Sequence, residues 1–434
     1  MKTVFRIIVV GSVLMVSQAF AQGNPPKPAE KPVPTKPAVA EPAKGQVKMD
    51  EWPCFRGPTH DALSSMKGIN KDWNRIPPKE LWKVPMTDDG FAGPAVADGM
   101  LFIVNNKDKT DIVLGLDPAT GKEIWRFTYP ESGQWPFGYT VATPLVAGGK
   151  VYIWSRSGGA YCFNAKTGEK IWDRNLVAEY PAAVKLPDLK LAPSPLLDGQ
   201  NVIFMPGGKD ACVVAVDKDT GKTVWKSVNS KVSYASPIIA SPNGVRQLIV
   251  YVADGVFGLD PKDGKQLWTI PWPTQYDDKK VPTPVVVGNR IFIASTQGGD
   301  TGLVDVKDNK PTVVWKQKAM QDHVATCLYY HDRLVGPTDT PVNCLMCLDA
   351  KDGKVLWTQQ SLSNAGPIGI DDTIIAKDVN TGTLVMIDAT VPEYKELGRF
   401  AGIEGGEGSW PAPIVANGHL FVRSKTALAC FDLK

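Results

Sequence analysis

One nine-residue pattern recurs along this chain and restricts it to a repeat architecture. Asp117-Pro118-Ala119-Thr120-Gly121-Lys122-Glu123-Ile124-Trp125 returns as Asn164 to Trp172, Asp217 to Trp225, Asp260 to Trp268 and Asp349 to Trp357, always with Trp eight residues after the opening Asp or Asn. Asp305 to Trp315 carries two extra residues, and Asp388 to Leu397 is a degraded copy without its Trp. The chemistry of each copy is local. An Asp or Asn side chain opens a turn by accepting nearby backbone N–H groups, and Gly supplies the positive φ that the turn needs. Alternating apolar residues on both sides read as strands. Each copy is therefore a β-hairpin, and the Trp on its second strand is large enough to fill the gap between neighbouring sheets.

A second element repeats in step with the first. It reads Ala92-Gly93-Pro94, Ala142-Thr143-Pro144, Pro193-Ser194-Pro195, Ala235-Ser236-Pro237, Pro282-Thr283-Pro284, Ala325-Thr326-Cys327, Ala365-Gly366-Pro367 and Pro411-Ala412-Pro413. Pro cannot donate to a sheet ladder and belongs on an edge strand, while small residues belong where several backbones crowd together. Both conditions hold for the innermost strand of a propeller blade. Four strands in each repeat of about 40–50 residues is the size of one blade. The expected fold is all-β, an eight-bladed β-propeller of four-stranded antiparallel blades. The last repeat ends at Phe431-Asp432 without a hairpin and Trp strand, and Lys79-Glu80-Leu81-Trp82-Lys83-Val84 supplies that strand from upstream, sealing the ring without an open sheet edge. Trp82, Trp125, Trp172, Trp225, Trp268, Trp315 and Trp357 are expected to wedge between blades.

The N-terminus reads as an address. Lys2 and Arg6 precede an apolar run from Ile7 to Val16, and Ala19-Phe20-Ala21 gives a small-x-small site, the pattern of a secretory signal peptide over 1–21. Residues 22–50 follow as a Pro-rich linker, and 51–434 make up the propeller. No later stretch is apolar for 18 residues, so no integral membrane segment is expected after cleavage, and the localisation predicted is periplasmic or secreted. The whole chain has a formal net charge of +3. Its excess of Lys and Arg lies in the first 50 residues, which leaves the body close to neutral and argues against nucleic-acid binding.

The Asp-x-x-Thr-Gly-Lys-x-x-Trp copies resemble the tryptophan-docking motifs of pyrroloquinoline-quinone-type propellers, over about 52–434. That superfamily includes quinoprotein alcohol dehydrogenases and a propeller lipoprotein that helps assemble outer-membrane β-barrels. The opening Trp52-Pro53-Cys54-Phe55-Arg56-Gly57-Pro58 is similar to the head of many exported members. The resemblance implies an eight-bladed propeller. For a dehydrogenase it would also imply a vicinal Cys pair over the quinone and a carboxylate, an amide and an Asp around calcium. The sequence has no Cys-Cys pair. The residues just before the inner strands hold no carboxylate and one amide, Asn364, although Asp277 and Glu407 lie on longer loops.

Other chemistry is sparse. Cys344 and Cys347 form a CxxC, but Cys347, Cys162 and Cys430 each sit two residues before an Asp or Asn, in a slot held by Gly115, Ala215 and Gly258 elsewhere, so they read as small packing residues. The Asp-rich turns lack the bidentate Glu of an EF-hand. Candidate binding residues gather on the face formed by blade-to-blade loops: Trp135, Tyr139, Tyr234, Trp272, His323, Asn364 and Trp410. The expectation is a non-catalytic binding or scaffold module, a monomer without cofactor, whose loop face holds a protein, peptide or glycan. The alternatives are a quinoprotein oxidoreductase using pyrroloquinoline quinone and calcium, and an outer-membrane assembly propeller.

Overall fold

The computed structural model describes residues 50–434 except 89, 132–137, 182–185, 187–189, 277–278, 297, 322–324, 363–365 and 407–408. The described residues all belong to the unit Ala40–Lys434. Eight separate sheets form the eight blades of a β-propeller. Blade 1 shows the plan, running outward from the axis as Ala95–Ala97, Met100–Lys107, Thr110–Leu116 and Glu123–Pro130, all antiparallel. Blades 2 to 7 repeat it in chain order. Blade 8 takes Ile414–Ala416, His419–Arg423 and Ala427–Asp432 from the C-terminus and its outer strand, Glu80–Pro85, from the N-terminal segment. Trp82 pairs with Cys430 and Glu80 with Phe431, so the expected closure is present.

Every outer strand carries a β-bulge at the same place. Gly115 faces Trp125 and Leu116 faces Glu123, which leaves Ile124 as the extra residue, and the same shift recurs in all eight blades. A bulge adds twist and re-aims the side chain beside it. Here it turns each Trp across its own sheet, and the facing slot is small in all the Trp-bearing blades but the fifth, where Leu303 faces Trp315. Cys162, Ala215, Gly258, Cys347 and Cys430 fill that slot opposite Trp172, Trp225, Trp268, Trp357 and Trp82. A Cβ on Gly115 would lie 2.4 Å from the Trp125 ring. All seven cysteines are buried and none forms a disulfide.

Five indoles reach the turn of the next blade. Trp82, Trp125, Trp172, Trp225 and Trp315 donate through Nε1 to the carbonyls of Pro118, Ala165, Lys218, Pro261 and Ala350, at 2.9–3.1 Å. The ring lies over the turn glycine. At Gly168, with φ +72°, a Cβ would come within 2.6 Å of Trp125. Two indoles depart from this arrangement. Blade 5 replaces the Asp/Gly turn by a tight Asp308-Asn309 hairpin, and Trp268 instead donates to Gln247 Oε1 of its own blade at 2.5 Å. Trp357 faces a turn without Gly and packs edge-on against Tyr394.

The seventh blade corrects the reading of the degraded repeat. The Trp position there is Gly398 rather than Leu397, and it faces a large residue, Met386, so the usual sizes are exchanged. The missing indole comes from outside the repeats. Trp73 is 1% exposed, backs onto Gly398 and meets Phe400 edge-on with ring centroids 5.1 Å apart.

Candidate functional site in the central channel

The second repeated tripeptide builds the wall of the channel, and its middle residue makes a belt. Gly93 N–H donates to Thr143 Oγ1, Thr143 N–H to Ser194 Oγ, Ser194 N–H to Ser236 Oγ, Ser236 N–H to Thr283 Oγ1 and Thr283 N–H to Thr326 Oγ1, at 2.9–3.2 Å. In blades 1 to 5 the inner strand gives an amide proton to the hydroxyl of the next blade. Sequence reasoning saw only that these residues are small. Their hydroxyls satisfy buried donors that no ladder reaches. Gly366 and Ala412 interrupt the belt, and at blade 7 the N-terminal segment adds Leu63–Ser64 as a parallel fifth strand.

That same N-terminal segment floors the channel. Trp52 exchanges two 2.8 Å hydrogen bonds with Val96 of blade 1, Val146 N–H donates to Pro53 O in blade 2, Gly369 N–H to Ala62 O in blade 7 and Asn417 N–H to Asp50 O in blade 8. Between these anchors the chain coils tightly, with Arg56, His60 and Ala62 in left-handed backbone (φ 65°, 59° and 63°). Such conformations are costly away from Gly and persist only where surrounding contacts fix them. Above the floor lies a cavity of about 150 Å³. The belt forms its waist, and Phe91, Val141, Ala192, Tyr234, Val281 and Trp410 form an apolar collar at its mouth. Phe91 and Trp410 stack with centroids 5.5 Å apart.

Buried charge surrounds the collar. Arg423 is fully buried and lies 3.5 Å from an Asp88 carboxylate oxygen, and it also donates to Ala92 O and Thr140 Oγ1. Asp88 accepts the amides of Tyr139 and Thr140 at 2.8 and 2.9 Å, which pins the chain entering blade 2. Lys377 donates to the carbonyls of Pro411 and Arg423, and burial together with the Arg423 charge pulls its pKa down to about 7. Burial pushes Asp111 up to about 7, although Asn106 donates to it at 2.6 Å.

The two shifts act in opposite directions on stability. The native state holds a proton on Asp111 more readily than the unfolded chain does. Its contribution is full below about pH 4 and is lost as pH rises through about 7. Lys377 contributes at alkaline pH and loses its contribution as pH falls through about 7. Asp111→Asn should therefore raise the melting temperature relative to wild type at pH 8 and give little gain at pH 5. A pH series of thermal melts on both proteins checks this, and an equal shift at both pH values would refute it.

The sequence-nominated binding residues separate. Trp135, His323 and Asn364 lie outside the described residues. Tyr139 is half-buried beside Asp88, and Trp410 is half-buried in the collar. Tyr234 is buried and lines the cavity rather than the outer face. Trp272 is 1% exposed, donates to Ser295 Oγ and Asp300 O, and packs inside blades 4 and 5, so it is unavailable as a surface contact. The Trp52–Arg56 floor was the site component missed. Its only sequence signal was a conspicuous aromatic head outside the repeat.

The thiol nearest a base is Cys54, 3.7 Å from His60 Nδ1. Burial pushes its pKa up to about 12, which leaves no thiolate for nucleophilic chemistry near neutral pH. A tricyclic quinone with calcium needs converging carboxylates and room for three fused rings. The described lining residues include no carboxylate, and no group of three or more His, Cys, Asp or Glu placed to hold a metal exists among the described residues. Asp277 and Glu407, the acids of the longer loops, lie outside the described residues.

With this geometry established, comparison places the chain among known proteins. The family model described as outer membrane protein assembly factor BamB matches residues 109–359. The chain belongs to the PQQ-like β-propeller repeat family. It is 24% identical over 289 residues to tetrathionate hydrolase of Acidithiobacillus ferrooxidans, covering 66% of this chain and 50% of that protein. It is 32% identical over 162 residues to quinoprotein alcohol dehydrogenase PedH of Pseudomonas putida, covering 35% and 25%. It is 23% identical over 269 residues to BamB of Burkholderia pseudomallei, covering 58% and 63%. The chain thus spans between a quarter and just under two thirds of these relatives. The crystal structure of BamB from Moraxella catarrhalis has the same fold, with a TM-score of 0.59 at 18% identity over 82% of this chain and 99% of that one. Among the described residues no helix is long and apolar enough to cross a membrane.

Proposed function

We propose that this chain is an exported, non-catalytic binding or scaffold module whose loop face holds a protein, peptide or glycan. The observation that carries the reading is the floor: the chain's own Trp52–Ala62 segment is hydrogen-bonded across inner strands of blades 1, 2 and 7 and closes one end of the channel, which leaves a cavity of about 150 Å³. What remains is a rigid disc with Tyr139 and Trp410 partly exposed on the loop side. A rigid platform recognises a partner at low ordering cost. Export rests on the signal-like residues 1–21, with 22–50 as the tether.

The full chain incubated with pyrroloquinoline quinone and calcium should show no stoichiometric quinone absorbance and no dye reduction with alcohols or sugars. Uptake with turnover would instead establish the oxidoreductase reading. The BamB family match favours a narrower version, in which the partner is the machinery that assembles outer-membrane β-barrels. Co-purification of that machinery from envelope extracts, lost on Trp410→Ala, is its test.

A further inference from the structure

The cavity has a polar lining of one kind. Five hydroxyls face it, those of Thr143, Ser194, Ser236, Thr283 and Thr326. Each oxygen already accepts an amide proton of the preceding blade, and none of the five donates within the described residues. A hydroxyl that has accepted still has its own proton to give. The floor adds Arg56, 7% exposed, whose Nε and one terminal nitrogen bond the carbonyls of His60 and Asp61 at 3.2 Å. Arg56 forms no ion pair among the described residues. Asp61 accepts Thr59 Oγ1–H and Leu63 N–H, both through Oδ1, and its backbone carbonyl is what Arg56 bonds. Burial lowers the Arg56 pKa, and the nearby Cys327 and Asp61 oppose that shift only in part. A buried cation and a ring of donors, with no carboxylate in the described lining, form a site for an anion. The collar above them is apolar and aromatic, which limits what the rest of that anion can be. An apolar cavity of about 150 Å³ admits a molecule the size of benzene.

We propose that the central cavity binds a small carboxylate bearing one ring or a short apolar tail, its acid group held by Arg56 and the hydroxyl belt and its tail seated among Phe91, Tyr234 and Trp410. This site goes beyond the scaffold reading: it lies inside the disc, it shares Trp410 with the loop face, and neither variant used to test it alters Trp410. Binding requires no chemistry. The carboxylate supplies an ion-pair partner for Arg56, and the tail replaces water against the collar.

Benzoate is the probe, and benzyl alcohol is its neutral counterpart of similar size. Titration of the full chain, followed by calorimetry and by Trp fluorescence, should show one benzoate per chain with affinity at least about tenfold above that of benzyl alcohol, the scale of a charge-assisted hydrogen bond. Arg56→Gln should bring that ratio close to one. Because Arg56→Gln can also loosen the floor, a second variant, Ser236→Ala with Thr283→Val, tests the belt. It should lower the ratio while circular dichroism stays that of wild type. A purely structural role for these residues would change both affinities together and leave the ratio alone. Equal affinity for the two probes, no saturable benzoate binding, or an unchanged ratio in both variants would overturn the proposal. Displacement of benzoate by stoichiometric pyrroloquinoline quinone would overturn it too, by assigning the cavity to the larger cofactor. Failure of dye reduction or of co-purification bears only on the scaffold reading.

Discussion

Trp125→Ala and Trp225→Ala are each expected to lower stability by about 3–5 kcal/mol, the range for truncating a large buried aromatic. Both indoles are less than 9% exposed, and both bridge two blades by packing on a turn and donating to its carbonyl. The cost has two parts that a second substitution separates. Trp125→Phe keeps most of the packing and abandons the hydrogen bond to Ala165, so about 1 kcal/mol should be lost. Urea denaturation followed by far-ultraviolet circular dichroism reads both values. If the alanine variants unfold at the wild-type midpoint, the indoles do not couple the blades.

Trp73→Ala should cost a comparable 3–5 kcal/mol, although Trp73 belongs to no repeat. It is almost fully buried and fills the space at Gly398, where the seventh blade has no indole of its own. A reading based on the repeats alone places Trp73 in a connecting segment and expects nearly no effect, so this variant distinguishes the two accounts. The loss should also affect ring closure, because Trp73 lies just upstream of Glu80–Pro85, which completes blade 8. Limited proteolysis should then cut within 65–79 sooner than in wild type. Unchanged stability together with unchanged cleavage would remove Trp73 from the core.

These two predictions separate what a periodic sequence can state from what it cannot. The turn opening at Asp117 forms within a few residues: its carboxylate accepts the amides of Ala119 and Thr120 and its carbonyl accepts Gly121 N–H. The same local chemistry occurs in copy after copy, so each repeat corroborates the others. The number of blades, the small slot shared by Gly115, Cys162, Ala215, Gly258, Cys347 and Cys430, and the shortfall of one strand in the last blade were all read from that comparison. The candidate site was readable only in part. Phe91, Tyr234 and Trp410 occupy one repeat position and could be assigned to a common mouth, whereas surface exposure could not be assigned, and Trp272 proved to be core.

The amino-acid sequence by itself determined the blade, its count and its closure, because those depend on contacts made within one repeat or between equivalent positions of adjacent repeats. Only the tertiary structure decided what occupies the axis and the irregular seams: Arg56 set in the channel floor, Trp73 standing in for a lost indole, and Trp268 turned back to Gln247. Each of these is a single contact, mostly between segments far apart in the chain. A contact made once has no second copy against which its spacing can be recognised, and its partner is fixed only when packing brings the two surfaces together.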